Sequence, residues 1–252
     1  ALRPELPATR IGSRQDLLST LERGSTGSLP VGLERFYDKA FQLLGSEQVR
    51  RALDLSEEPR HIRERYGLGD NTTQGGGNGA EQAHGRHMRG QSLLVARRLV
   101  EAGVPFVEIG QDGYDSHDDN FPIHKSNLGI LDPAWSSLLQ DLQDRGMLQD
   151  TLVVWTSEFG RTPAINGQGG RDHFGRAYSW WLAGGGVRGG HVHGATDDFA
   201  WNITADPVHV HDMQATMLWL LGIDHTRLTY RFSGRDMRLT DVHGNVIRDV
   251  LA

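Results

Sequence analysis

The chain has 252 residues, a net charge of -6, 23% charged and 37% hydrophobic residues, and no cysteine. That length suffices for one sizeable core, and without cysteine neither a disulfide nor a thiolate metal site can form, so a metal would need His and carboxylate ligands. The basic residues are spread along the chain and form no stripe, which argues against nucleic acid as a partner. No run nears the roughly 18 apolar residues that cross a bilayer, so no membrane span is expected.

In chain order, "ALRPELPATR" lacks the apolar centre of a signal peptide and reads as a start inside a longer protein. Residues 1–66 read as a helical segment made of "SRQDLLSTLER", "VGLERFYDKAFQLLGSEQVRRAL" and "SEEPRHIRERYG". Leu33, Phe36, Tyr37, Ala40, Phe41 and Leu44 recur at three- and four-residue spacing and mark one buried stripe. Residues 67–90, rich in Gly and polar side chains without periodicity, predict a mobile loop.

Residues 91–225 read as a sheet core. "GQSLLVARRLVEAG" predicts a helix closed by Gly103, and "VPFVEIG" a short strand. "HKSNLGILDPAWSSLLQDLQDRGML" predicts a helix with one proline irregularity, and "DTLVVWTSEFG" and "AYSWWLAGGG" predict two more strands. "HDMQATMLWLLGI" predicts a last helix with His211 or Asp212 as its N-cap. Residues 226–252 suggest a short hairpin or surface excursion. The alternation of helix and strand predicts an α/β fold with a parallel sheet, as one domain over 1–252 or the C-terminal part of one.

The chemistry gathers in three polar clusters at the predicted strand ends, where loops diverge in open α/β sheets. "DGYDSHDDNF", residues 112–121, holds four Asp and one His directly after an apolar run. Such a cluster is costly unless a cation or partner charge sits among the acids. "SEFGRT" and "GGRDHFGRAY" follow after the next strand. Together they offer Asp115, His117, Glu158, Asp172 and His173 as metal ligands, with His211 added from the next helix start. Arg161 and Arg171 would hold an anionic group. This mixture of carboxylate and imidazole suits a divalent ion such as Zn or Mn, with Mg or Ca favoured if carboxylates dominate. Each piece has a plainer reading too: Asp115 and His117 suit a turn, Glu158 suits an ion pair with Arg161, and Asp118 and Asp119 suit a helix cap. His191 with His193, and His209 with His211, alternate as on a strand; His84 and His87 read as solvated. Neither a P-loop nor a Gly-x-Ser-x-Gly elbow occurs.

On "GYDSHDDNF", "SEFGRTP", "GGRDH" and "VHVHDMQATMLWLLGI", the chain from about residue 50 onward resembles the C-terminal half of the sulfatase-like family called domain of unknown function fifteen-hundred-and-one. That family is placed in the alkaline phosphatase-like superfamily. The resemblance implies a three-layer α/β/α sandwich around a largely parallel sheet, with metals at the strand ends. By position, Asp115 and His117 resemble the first ligand pair, Glu158 the acid of the second, and Asp172 with His173 the later ligand; Phe159 stands where the pattern usually carries His. Nothing in residues 1–66 resembles the glycine-rich segment that carries the superfamily's nucleophile. The implied function is a metal-dependent hydrolase of sulfate or phosphate esters acting on a small-molecule or glycan anionic ester, in a periplasmic or extracellular protein. The alternative is a non-catalytic binding or cell-envelope module on the same fold.

Overall fold

The computed structural model describes residues 45–69 and 86–252, with isolated positions between 12 and 42. The first two expected helices and their apolar stripe therefore lie largely outside the described residues, although the isolated positions are helical. Residues 70–85 of the expected loop, His84 among them, also lie outside; residues 86–90 are helical.

The chain divides into two compact units. Within the first, α1 (Glu47–Leu53) opens on Ser46, whose hydroxyl accepts from Val49 N, and α2 (Arg60–Arg65) follows a 3₁₀ turn and Pro59. α3 (Arg86–Glu101) passes so close to the end of α2 that a Cβ at Gly90 would stand 1.6 Å from Tyr66 O. Ile62, Tyr66, Leu93, Leu94, Ile130 and Leu131 form the buried core of this unit. Arg97, buried like Glu58, pairs with it at 2.8 Å. Burial pushes the Glu58 carboxyl up, but hydrogen bonds from Arg97 and Arg98 outweigh it and hold the group below its usual range.

The helix α4 (Asn120–Asp144) contributes residues to both units and runs through Pro133. In the second unit, β1 (Val153–Trp155) pairs with β4 (Trp181–Ala183), and β2 (Gly160–Arg161) with β3 (His173–Phe174). β5 (Ala195–Thr196) pairs with β6 (Ile203–Ala205), and β7 (Thr229–Phe232) with β8 (Arg235–Arg238) across a two-residue Ser233–Gly234 turn with positive φ. α5 (Val210–Leu220) lies between β6 and β7.

Every sheet among the described residues is two-stranded and antiparallel. This overturns the three-layer α/β/α sandwich with a largely parallel sheet. Parallel neighbours need a crossover, usually a helix, yet the segment between β1 and β4 holds Pro163 and several glycines and no helix, so the chain turns back on itself. A parallel sheet must also be covered on both faces, whereas Trp155 and Trp181 are 37% and 42% exposed. "VPFVEIG" joins no ladder: Pro105 has no N–H to give, and Phe106 is 68% exposed.

α5 starts two or three residues earlier than the sequence suggests. His209 is its N-cap, with Nδ1 accepting from His211 N at 3.3 Å, and Asp212 closes a capping box by accepting from His209 N at 2.9 Å.

Candidate metal centre

Two loops of the second unit build the site. In the first, Asp115, Ser116 and His117 precede α4, and their exposure alternates: Ser116 is 2% exposed, while Asp115 and His117 project outward. α4 holds this loop with three polar side chains on one face, at spacing i, i+4 and i+7. Ser116 Oγ lies 2.8 Å from Asn120 Oδ1 and 3.0 Å from His124 Nε2, and Asn127 Nδ2 donates to Gly113 O. Burial holds the His124 imidazole below its ordinary range, against a hydrogen bond to the Tyr114 backbone, so it is a neutral member of this grip.

The second loop, 166–173, is zipped onto the first. Asp119 N donates to Gln168 O at 3.2 Å, Asn120 N to Gly169 O at 3.0 Å and Arg171 N to Ser116 O at 3.1 Å. Asn166 is the pin: Oδ1 accepts from Gln168 N and Gly170 N at 3.0 and 2.9 Å, while Nδ2 donates to His117 O at 2.9 Å and Asp172 Oδ1 at 3.1 Å. Gly170 is required by close approach, since a Cβ there would stand 1.9 Å from the His117 carbonyl carbon and oxygen. Pairing of β2 with β3 then sets Arg161 opposite His173.

Three donor atoms converge as a result. Asp115 Oδ1 is 3.1 Å from His117 Nε2 and 3.0 Å from His173 Nε2, and the two imidazole nitrogens are 3.2 Å apart. Among the described residues, Asp115, His117 and His173 are the one group of three His or acidic residues close enough to share an ion. A tetrahedral ion with bonds of about 2.0 Å separates its ligand atoms by about 3.3 Å, so the triangle fits such an ion with little adjustment.

Asp172 stands behind His117, its Oδ1 3.1 Å from Nδ1. Hydrogen bonds from His117 and then Asn166 hold the Asp172 carboxyl below its usual range, so it is an acceptor. His117 Nδ1 therefore donates to Asp172, and its Nε2 is turned toward Asp115 and His173, the arrangement of a metal-ligating histidine braced by a carboxylate. Burial raises the Asp115 pKa, but bonds from His173 and Arg161 and the charge of Arg161 outweigh it and keep the carboxylate ionised.

The remaining sequence candidates fall around this triangle. Glu158 accepts from Arg161 Nη2 at 3.1 Å; it is an ion-pair partner and not one of the converging donors. Arg161 Nη1 donates to Asp115 Oδ1, and its guanidinium carbon lies 5.4 Å over the Phe159 ring, itself 4.5 Å from the His173 ring. Arg171 donates from Nη1 to Thr162 O and Pro163 O at 2.6 Å each, so that nitrogen clips the loop. Asp119 occupies the N-cap position of α4 without a side-chain cap bond. His211 stands in a different cluster, its ring 4.8 Å from His209 and stacked at 5.5 Å on His243. His191 and His193 face each other at 6.2 Å, and His87 falls in α3.

Asn166, Asn120, His124 and Asn127 are absent from the sequence candidates. The spacing of the last three along one helix was a legible signal; Asn166, one loop asparagine among several, carried none.

Among the described residues no helix is long and apolar enough to cross a membrane. The family model described as "Protein of unknown function (DUF1501)" matches residues 2–251, further toward the N-terminus than the segment carrying the motifs. No curated protein and no solved structure matches the chain.

Proposed function

The chain belongs to the DUF1501 family of proteins of unknown function, and we propose that it is a metal-dependent hydrolase of sulfate or phosphate esters. The observation that carries this reading is the triangle of Asp115 Oδ1, His117 Nε2 and His173 Nε2, with edges of 3.0–3.2 Å and Asp172 bracing His117. Two imidazoles and one carboxylate favour Zn or Mn over Ca and Mg, which prefer all-oxygen surroundings. The likeness of "SEFGRTP" and "GGRDH" to a sulfatase-like family placed in the alkaline phosphatase-like superfamily supports the ester class and an exported location, and the short antiparallel sheets do not support it.

Asp115, His117 and His173 would hold a divalent ion, which when bound would supply Lewis-acid polarisation of an ester oxygen. The rest falls to the chain's own groups. Asp172 keeps the proton at His117 Nδ1 and thereby the ligand geometry. Arg161, held at Nη2 by Glu158 and at Nη1 by Asp115, sets its positive charge beside the triangle, where it suits a sulfuryl or phosphoryl group. Ser116 Oγ is buried in the α4 grip, and Ser157 Oγ donates to Phe159 O at 2.8 Å. Neither hydroxyl is offered to a substrate, which favours solvent water as the attacking oxygen.

The same engagement of both serines favours a second reading, a non-catalytic binding or cell-envelope module that holds an ion without turnover. The chain loaded in turn with Zn, Mn, Mg and Ca and assayed on 4-nitrophenyl phosphate and sulfate separates the two. Hydrolysis that needs the ion and disappears in H173A upholds the enzyme; ion binding without hydrolysis upholds the module; a chain that neither binds an ion nor gains thermal stability from one refutes both.

A further inference from the structure

Asp115 Oδ1 is fully engaged. It lies 3.0 Å from His173 Nε2, accepts from Arg161 Nη1, and has His117 Nε2 at 3.1 Å. Its two lone pairs are taken up by the His173 and Arg161 donors, so an arriving ion must displace a donor to use this oxygen. Arg161 meanwhile spans two carboxylates, Nη1 on Asp115 and Nη2 on Glu158 at 3.1 Å, with the Phe159 face under its guanidinium. Its side chain is 19% exposed, against 54% for Asp115 and 56% for Glu158, so the arginine is the better anchored partner.

We infer that Arg161 is a built-in competitor of the metal: it holds Asp115 Oδ1, yields that oxygen to an arriving divalent ion, and, still tethered by Glu158 and Phe159, turns its released Nη1 to the anionic group of the ester. The inference rests on the reading of Asp115, His117 and His173 as metal ligands. Two physical effects give it its sign. The guanidinium must surrender a charge-assisted hydrogen bond before the ion can use the oxygen, and its positive charge then sits within a few ångströms of the ion. The exchange also couples the two ligands. Metal binding frees an anion donor, so loading with metal promotes anion binding, and the reverse follows by linkage. A free metal-binding loop without Arg161 would hold its ion more tightly and its anion more weakly.

Calorimetric titration of Zn2+ into the whole chain, then of inorganic phosphate into the zinc-loaded protein, tests this on wild type, R161Q and R161K, with circular dichroism to confirm folding. R161Q should bind Zn2+ on the order of tenfold more tightly than wild type and phosphate on the order of tenfold more weakly. R161K keeps the charge but cannot span both carboxylates, and should fall between the two in both titrations. Zn2+ binding by folded R161Q no tighter than by wild type overturns the inference and leaves the metal centre standing. Zn2+ binding by R161Q alone upholds the competition and removes the metallohydrolase reading from the wild type; binding by neither overturns both. If R161Q does not fold, R161K decides: Zn2+ affinity no greater than wild type overturns the inference.

Discussion

Gly170→Ala probes the joint between the two ligand loops. A Cβ at Gly170 meets the His117 carbonyl carbon and oxygen at 1.9 Å and Asp118 N at 2.4 Å, whereas ordinary contacts begin at 3.4 Å. All three obstacles are backbone, so one loop must retreat by about 3.4 − 1.9 = 1.5 Å. Metal–ligand distances tolerate about 0.2 Å, and a displacement of about 1 Å near a reacting centre costs on the order of a hundredfold in rate. Overpacking against rigid backbone costs about 3 kcal/mol, or about 6–12 °C in melting temperature for a chain of this length. Gly167→Ala is the matched control: it lies in the same loop with nothing within 4 Å of the added Cβ. Differential scanning calorimetry with Zn2+ titration should show Gly170→Ala melting lower and losing the ion, and Gly167→Ala close to wild type. A Gly170→Ala protein that melts and binds like wild type refutes the claim that close packing of these loops sets the ligand triangle.

Further outcomes follow from the same geometry. Asp172→Asn removes the charge behind His117 Nδ1 and should weaken Zn2+ binding about 10- to 100-fold with little change in melting temperature; unchanged affinity by calorimetry excludes the bracing role. Asp212 accepts from His209 N at 2.9 Å and Asn245 N at 2.7 Å, joining the start of α5 to the C-terminal segment. Asp212→Ala should therefore cost about 2 kcal/mol, seen as a lower urea midpoint, and a midpoint equal to wild type removes that joint. Asp115, Asp172, Asp212 and Glu58 all have lowered pKa values in the folded chain. Their stabilisation is present above the ordinary carboxylate range near pH 4 and is lost as pH falls through the lowered values. Melting temperature should accordingly hold from pH 7 to about 5 and fall steeply below about 4; a flat acid limb contradicts the assigned ionisation.

The helices were legible because their apolar spacing and end signals are local: Gly103 has positive φ just after α3, and α4 and α5 fall near their expected positions. Sheet arrangement was not, because apolar runs such as "VPFVEIG" and "TLVVW" specify extended backbone without specifying a partner. Pairing was decided by turns of the intervening Gly- and Pro-rich segment, which brought β4 back against β1. The converging triangle was legible in part. Asp115 and His117 stand at i, i+2 on either side of buried Ser116, and "RDH" supplied His173 together with Asp172, which pairs with His117. Residue type could not show that Asp172 pairs with His117 and Glu158 with Arg161 while Asp115, His117 and His173 converge, since every carboxylate carries the same signature in sequence. His211 was drawn to the site by its place at a helix start, whereas the capping geometry of His209 groups it with His209 and His243.

The most direct measurement is the number of Zn2+ ions bound per chain, by elemental analysis after dialysis and by calorimetric titration, in wild type and His173→Ala. Wild type should hold one ion at the Asp115, His117 and His173 triangle, with binding abolished or weakened at least a hundredfold in the folded variant. Equal ion content and affinity in the two proteins, or no ion in either, would contradict the assignment of that triangle as a metal centre.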